Sequence, residues 1–457
     1  MRNILVLGAG KSTSVLISYL LEKSVKENIQ LTIADLDIEQ ASKMYGNHEN
    51  CNVISLDITD KISREKAIEQ SDIVISMLPA RFNIEVAKDC ILLKKSLVSA
   101  SYVTKEMMAL DKEVKENGLV FMNEMGLDPG IDHMSAMQVI DRIRDDGGKL
   151  LLFESFCGGL VAPESDTNLW NYKFTWEPRN VVLSGQFGEA LFIQEGKYKS
   201  IPYNKLFKRT EYIQIDGHGK FEAYANRNSL DYRSIYGLED ILTLYRGTIR
   251  RVGFSRAWDM FVQLGMTSDS YELPDTKNMS YREFVNTFLP YSDTDSVEIK
   301  MRHNLKIDQD DIMWDKLLDL DLFNDEKIIG IENATPAQAL QKILSDTWTL
   351  AEDDKDMIVM YHRFGYELNG QKKLIESSMV NIGKDQSQTA MAKTVGLPVA
   401  MVTLAILNGN VSTKGVQIPI RKEVYEPILK EMESYGITFE EKESEYIGYN
   451  SKGRLAN

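Results

Sequence analysis

Gly8 and Gly10, one alanine apart, leave no side chain between the backbone and anything resting on it. Where a strand passes through such a turn into a helix, the free amides of the helix point at the turn, and that environment suits a phosphate. Thr13 replaces the third glycine of the G-x-G-x-x-G pattern, so the same residues also describe a tight strand–helix turn without a ligand. Asp35 lies near the offset at which an acid takes the ribose 2′-hydroxyl of NAD, and a carboxylate there repels the 2′-phosphate of NADP. Asp37 is a second acid at that place, and a solvated loop acid is the plainer account of both. Asp57 suits the neighbourhood of an adenine or, equally, the cap of a following helix. Further along, Arg227, Arg246, Arg250 and Arg251 are clustered basic groups in an acidic chain, suited to carboxylates or to surface ion pairs.

The elements that must hold these groups alternate. Asn3–Leu7 is a short apolar run that reads as a buried strand, and Ser12–Glu22 carries Val15, Leu16, Tyr19 and Leu20 at helical spacing. Strands are predicted at 31–35, 52–56, 72–77, 96–101 and 119–123, with helices at 38–45 and 104–116 among those between them, the form of a parallel sheet covered on both faces. Ligands of such sheets gather beyond the carboxyl ends of the strands. Those ends carry Asp35, Asp57, Met77-Leu-Pro79, Ala100-Ser-Tyr102 and the run Asn123-Glu-Met-Gly-Leu-Asp-Pro-Gly-Ile-Asp-His133. In that run Asp128 is placed to cap a helix predicted at 130–144, a duty compatible with a site at the same spot, and His133 is expected to pack against the sheet.

From Lys149 the pattern becomes long alternating strands (150–157, 172–176, 180–184, 212–215, 221–224), then an acidic helical stretch at 255–353 and a hairpin at 356–383 turning on Asn369-Gly370. Residues 387–407 form a long apolar helix, expected to be interrupted near Pro398 and to pack back on the first domain. The fold class is α/β: a Rossmann-like doubly wound parallel sheet plus an α+β domain with a large mixed sheet and a small helical domain. The expected boundaries are 1–130, completed by about 386–410; 131–254 with 355–385; 255–354; and a C-terminal segment 411–457. A net charge of −15 disfavours nucleic acid as a partner, and no apolar run reaches the length of a membrane span. Cys51, Cys90 and Cys157 are odd in number and scattered, which suits reduced thiols, a cytoplasmic location and no metal site.

Six blocks in order carry a likeness: Asn123–His133, Cys157-Gly-Gly-Leu-Val-Ala-Pro-Glu164, Tyr172-Lys-Phe-Thr-Trp176, Asn226-Arg-Asn-Ser229, Arg246-Gly-Thr-Ile-Arg250 and Met391-Ala-Lys-Thr-Val-Gly-Leu-Pro398. With them the chain resembles the L-glutamate-forming saccharopine dehydrogenases from its first strand to about Gly409. The resemblance implies that saccharopine, NAD(P)+ and water give L-glutamate, 2-aminoadipate 6-semialdehyde and NAD(P)H, in a homodimer of three-domain subunits. It implies cofactor contacts at the glycine turn (Gly8, Gly10, Lys11, Ser12), at Asp35 and at Ala100, Ser101, Leu127, Asp128 and Pro129, to which the strand ends add Asp57 and Met77. It implies substrate contacts at Ser101, Tyr102, Asp128, Arg227, Thr248, Ile249 and Arg250, and proton transfer involving Asp128, Cys157 and Tyr102. Relatives using NADP place an arginine just past the second strand, where this chain has Leu36, so NAD is the expected cofactor and NADP the lesser one. Val161, Ala225 and Leu169-Trp170 also depart from the family pattern, on the substrate side.

Saccharopine is a secondary amine with three carboxylates, so the protein must supply orientation, proton transfer and carboxylate recognition. Arg227 and Arg250 are assigned to carboxylates, Asp128 to the amine or to a proton of the attacking water, and Cys157 and Tyr102 to supporting acid–base or hydrogen-bonding roles. Lys173 is a further cation, or simply a partner of Glu164. Alternatives are a related imine dehydrogenase, acting on lysine or forming a carboxyalkyl polyamine, and a dinucleotide-binding protein without chemistry.

Overall fold

The computed structural model describes residues 1–186 and 188–448, apart from the side chain of Lys11. The chain divides into two compact units, Met1–Gly147 with Ser387–Phe439, and Gly148–Gln386 with the segment from Glu440 onward.

The first unit is built on a seven-stranded parallel sheet. Its strands are β1 (Arg2–Leu7), β2 (Ile29–Asp35), β3 (Cys51–Ser55), β4 (Ile73–Ser76), β5 (Ser96–Ser99), β6 (Val120–Met122) and the short strand Gly415–Gln417. In space they run from Gly415–Gln417 through β6, β5, β4, β1 and β2 to β3. The order reverses beside β1, which pairs with β2 on one side and β4 on the other. Ile4, Leu5, Val6 and Leu7 are all buried, as a strand covered on both faces requires.

The helices Ser14–Glu27 and Ala390–Leu407 pack against each other and against the sheet, the first at β2 and the second at β4 and β5, so the late apolar segment completes the first unit. Pro398 lies inside that second helix and does not interrupt it, contrary to expectation. Only one backbone hydrogen bond is lost at a proline, and 13 buried residues along this helix outweigh it. The helices approach closely at Gly396, where an added Cβ would stand 2.8 Å from the Leu16 amide nitrogen. Ala390–Leu407 has the length and hydropathy of a membrane span, yet 72% of it is buried inside the protein, the condition of a core helix.

The second unit is a nine-stranded mixed sheet. It contains β7 (Lys149–Val161), β8 (Ala190–Gln194), β9 (Lys197–Ile201), β10 (Thr210–Ile215), β11 (Gly219–Ala225), β12 (Thr243–Arg251), β13 (Asp356–Leu368), β14 (Gln371–Ile382) and the edge strand Glu440–Glu445. The main order is β10, β11, β12, β7, β13, β14, edge strand, with β8 and β9 branching from β12. The β13–β14 hairpin turns on Asn369 and Gly370, both left-handed at φ 51° and 76°, as the Asn-Gly pair predicts. The helices between residues 254 and 348 pack through Trp258, Phe261 and Trp348 into the core beside the sheet.

Two predicted strands do not form. Residues 172–176 make an irregular segment whose one strand-like link is a bridge between Phe174 and Thr349. There Trp170, Tyr172 and Phe174 pack their rings against Trp348, an aromatic contact that sequence alternation cannot distinguish from a pleat. Residues 180–184 were expected extended, but Pro178–Val182 is a helical turn, started by proline and by the Glu177 carboxylate accepting from Arg179 N–H. The single helix predicted at 104–116 splits into Lys105–Ala109 and Asp111–Glu116, with Thr104 capping the first as expected.

Candidate functional site

The glycine turn sits at the reversal point of the first sheet. Gly8 has φ +99°, and a Cβ there would stand 3.0 Å from the Met77 carbonyl oxygen, so the end of β4 closes on the turn. At Gly10 an added Cβ would meet nothing within 4 Å, so open space faces the backbone. Among the described residues, the Gly10 and Ser12 amides have no acceptor in the chain. Bare amides, open space and a helix start fit the diphosphate of a dinucleotide. The contact expected of the Lys11 side chain lies outside the described residues, as does the end of the expected segment 411–457.

Asp35 does not present a free carboxylate. Its Oδ2 accepts the Ala9 amide at 2.6 Å and its Oδ1 the Asp37 amide at 3.2 Å, so the group braces the glycine turn. Asp57 is exposed and turns inward on Thr59, accepting its amide at 2.8 Å and its hydroxyl at 2.7 Å, which holds the carboxyl below its usual range. The expected helix cap nearby is supplied by Asp60 instead, through Ile62 N–H.

Beyond β5 and β6 the chain ties itself in a small buried knot. The Ser99 hydroxyl accepts the Ser101 amide, and the Ser99 carbonyl accepts the Met125 amide, each at 3.1 Å. An added Cβ at Gly130 would stand 2.0 Å from the Gly126 carbonyl oxygen, so that position has no room for a side chain, and one at Gly126 would press on Ala100 Cβ at 3.1 Å. Leu127 and Pro129 belong to this knot, and the Asp128–Pro129 bond is cis.

Asp128 does not cap the following helix, Ile131–Asp145. The N-cap is Gly130, two residues further on, and its amide donates to Asp132 Oδ1 at 2.6 Å. The Tyr102 hydroxyl instead donates to Asp128 Oδ1 at 3.2 Å. His133 is fully buried as expected, but its Nε2 meets Glu124 Oε2 at 2.8 Å and so takes part in a polar contact. Nothing in composition or spacing singled out Glu124; the signal available was an acid in a glycine-rich exit from a strand.

In the second unit, one sheet face carries Cys157, Thr248 and Arg250. Thr248 is in register with Cys157 on β7 and Tyr224 on β11, and Arg250 with Glu222, so these side chains share a face. Ile249 points to the other face and is fully buried, leaving only its backbone for a ligand on this one; its carbonyl accepts Arg250 Nη1 at 2.8 Å. Gly158 allows that close approach, since a Cβ there would stand 2.4 Å from the Ile249 carbonyl oxygen.

Arg250 is 3% exposed, and among the described residues no carboxylate stands within 4 Å of its guanidinium. Tyr172, Phe254 and Tyr224 surround it at 5.1, 5.3 and 5.8 Å, and its Nε has no partner. Glu222, opposite in register, spends its carboxylate on the amides of Gly253 (2.9 Å) and Ser255 (2.6 Å). Burial raises the Tyr172 phenol, an effect the Arg250 charge offsets in part. Arg227 follows β11 with φ +50°, its carbonyl accepting the Leu191 amide. Lys173 pairs with Asp354 at 2.6 Å rather than with Glu164, which lies 3.4 Å from Lys355. Among the described residues no group of three His, Cys, Asp or Glu is arranged to hold a metal ion.

A parallel sheet whose order reverses beside a glycine turn, carried in one chain with a mixed-sheet unit, defines a protein of the Rossmann dinucleotide-binding class. Residues 4–122 match the family described as the saccharopine dehydrogenase NADP-binding domain, and residues 126–437 the saccharopine dehydrogenase C-terminal domain. The chain belongs to the saccharopine dehydrogenase family. It is 32% identical over 449 residues to the NADP(+)-dependent, L-glutamate-forming saccharopine dehydrogenase of Saccharomyces cerevisiae, covering 96% of this chain and 99% of the relative. It is 34% identical to the mitochondrial alpha-aminoadipic semialdehyde synthase of Rattus norvegicus, covering 96% of this chain and 47% of that protein. The solved apo structure of the Saccharomyces cerevisiae L-Glu-forming enzyme superposes with a TM-score of 0.87 at 31% identity, covering 97% of this chain and 100% of the other.

These likenesses correct one expectation. NAD was expected from Asp35 and Leu36, whereas the relatives are named for NADP(+) and the matched domain is an NADP-binding domain. Asp35 is consistent with the correction. Its carboxylate is engaged by the Ala9 and Asp37 amides, so its presence after β2 is no evidence of an acid reserved for a ribose hydroxyl.

Proposed function

We propose that the protein is an L-glutamate-forming saccharopine dehydrogenase of lysine metabolism, working with NADP. The observation that carries the reading is Arg250: a buried guanidinium with no carboxylate within ion-pair distance among the described residues is costly to keep in a fold unless a ligand supplies the anion. Saccharopine brings three carboxylates, and a planar guanidinium grips one with two parallel hydrogen bonds. Arg227 takes a second carboxylate, and Thr248 with the backbone of Ile249 orients the same substrate.

NADP, when bound, supplies the acceptor for the substrate hydride. Gly8, Gly10 and Ser12 would hold its diphosphate, and Met77, Ala100, Ser101, Leu127 and Pro129 its nicotinamide half. Asp128 takes the proton of the attacking water or of the amine, and Tyr102 keeps that carboxylate oriented through the bond to its Oδ1. Cys157, beside Thr248 in register, is a secondary candidate for proton transfer. Cys51, Cys90 and Cys157 are buried and outside disulfides, which supports a reducing compartment, the cytoplasm. A homodimer is part of the same proposal, to be checked by sedimentation.

The decisive assay is purified protein with saccharopine and NADP+, followed by the absorbance of the reduced nicotinamide, with lysine as the control substrate. Production of L-glutamate and the semialdehyde in equal amounts is expected. Turnover of lysine but not of saccharopine would overturn the reading.

A further inference from the structure

Glu124 has no assigned part in the chemistry, yet it touches both neighbours of Tyr102. It is 4% exposed and left-handed at φ +53°, a conformation that side-chain-bearing residues seldom adopt without cause. Its amide donates to the Ser101 carbonyl at 3.1 Å, and its Oε1 accepts the Val103 amide at 2.9 Å. The tyrosine between those two residues donates to Asp128. Its other oxygen, Oε2, stands 2.8 Å from Nε2 of the fully buried His133 in the helix Ile131–Asp145. On the far side of that ring, Nδ1 lies 3.7 Å from Asp132 Oδ2, and Asp132 Oδ1 holds the Gly130 amide.

We propose that Glu124 is a positioning residue for the reaction: it clamps the Ser101–Val103 segment to the buried His133, and so sets where the Tyr102 hydroxyl meets Asp128. This rests on the proposed role of Tyr102 and Asp128 and extends it to Glu124 and His133, which are outside the set assigned to substrate and cofactor. A carboxylate suits the duty because its two oxygens accept from two separate elements at once, the strand exit and the helix. Charge-assisted bonds of this kind hold geometry more firmly than neutral ones. Tolerances at a reacting centre are narrow, so a displaced Tyr102 costs rate with little effect on cofactor affinity.

The test is a double-mutant cycle of Glu124→Met, which is of similar length and at most a weak acceptor, with Tyr102→Phe. Glu124→Met is expected to lower kcat/KM for saccharopine at least about tenfold when Tyr102 is present, and less than about threefold in the Tyr102→Phe background, with the Kd of NADPH unchanged in both. An equal loss in both backgrounds would overturn the proposal, since a merely structural residue would act whether or not the phenol is there. Should Glu124→Met fail to fold, Glu124→Gln enters the same cycle: its oxygen replaces one acceptor, and a smaller but still Tyr102-dependent loss is expected. Hydrogen exchange supplies a readout independent of activity. The Val103 amide should exchange faster in the Glu124 variant while β5 and β6 stay protected, and unchanged exchange there overturns the clamp. A wild-type protein inactive on saccharopine defeats the proposed function, and leaves the exchange measurement to judge Glu124 by itself.

Discussion

The Tyr102 phenol and the Asp128 carboxylate, 26 positions apart, meet at 3.2 Å just past the ends of adjacent strands β5 and β6. Asp128→Asn keeps the shape and removes the base. A loss of kcat of about a hundredfold or more is expected, within the range of general acid–base catalysis, with NADPH affinity held within threefold. Single-turnover kinetics and cofactor fluorescence titration measure the two, and an unchanged kcat would remove Asp128 from proton transfer.

Arg250 separates function from stability. Arg250→Met replaces a buried charge, lacking an ion-pair partner among the described residues, by an apolar chain amid Tyr172, Phe254 and Tyr224. The melting temperature should hold or rise while saccharopine binding is lost, because an uncompensated buried charge opposes folding. A large fall in melting temperature with substrate binding intact would show the arginine to be structural.

Arg227→Ala is expected to raise KM for saccharopine about tenfold, the cost of one charged hydrogen-bonded contact, and to leave NADPH affinity nearly unchanged. An unchanged KM would take Arg227 out of the substrate site.

Glu423 offers a test by pH. Its carboxylate accepts the Ser412 hydroxyl, and the Ser412 and Thr413 amides as well, which lowers its pKa to about 2 from 4.5. A group whose pKa falls on folding stabilises the fold above its unfolded value and loses that contribution as the pH drops. Wild type should therefore melt above Glu423→Gln at neutral pH, by under about 1 kcal/mol for so accessible a group, and the gap should close between pH 4.5 and 2. Calorimetry across that window decides it; a gap independent of pH would assign the effect to packing.

Gly396→Ala probes the seam between Ala390–Leu407 and Ser14–Glu27. The new Cβ would stand 2.8 Å from backbone, so a destabilisation of about 1–3 kcal/mol is expected despite the gain in helix propensity. Denaturant unfolding measures it, and a stabilised variant would mean that the helices separate freely.

Local pattern alone carried the alternating half of the first unit, because a strand buried on both faces has no polar positions and a glycine turn has few substitutes. It also carried the Asn369-Gly370 hairpin, whose left-handed pair few other residues tolerate. It failed where one local signal serves two geometries. Proline reads as a helix end, yet a helix buried along most of its length keeps Pro398. Alternating aromatics read as a strand, yet Tyr172 and Phe174 pack around Trp348.

What the sequence by itself determined was therefore the order of elements and the inventory of chemical groups: a glycine turn, acids at strand ends and arginines in the later half. Only the tertiary structure decided which groups are spent and which are available. Asp35 looked free and is engaged by two amides, whereas the residues around Arg250 could equally have offered it a surface ion pair, and it is buried with no ion-pair partner among the described residues. The physical reason is that a carboxylate's or a guanidinium's partners come from residues distant in the chain, and hydrogen-bond satisfaction is a property of assembled space.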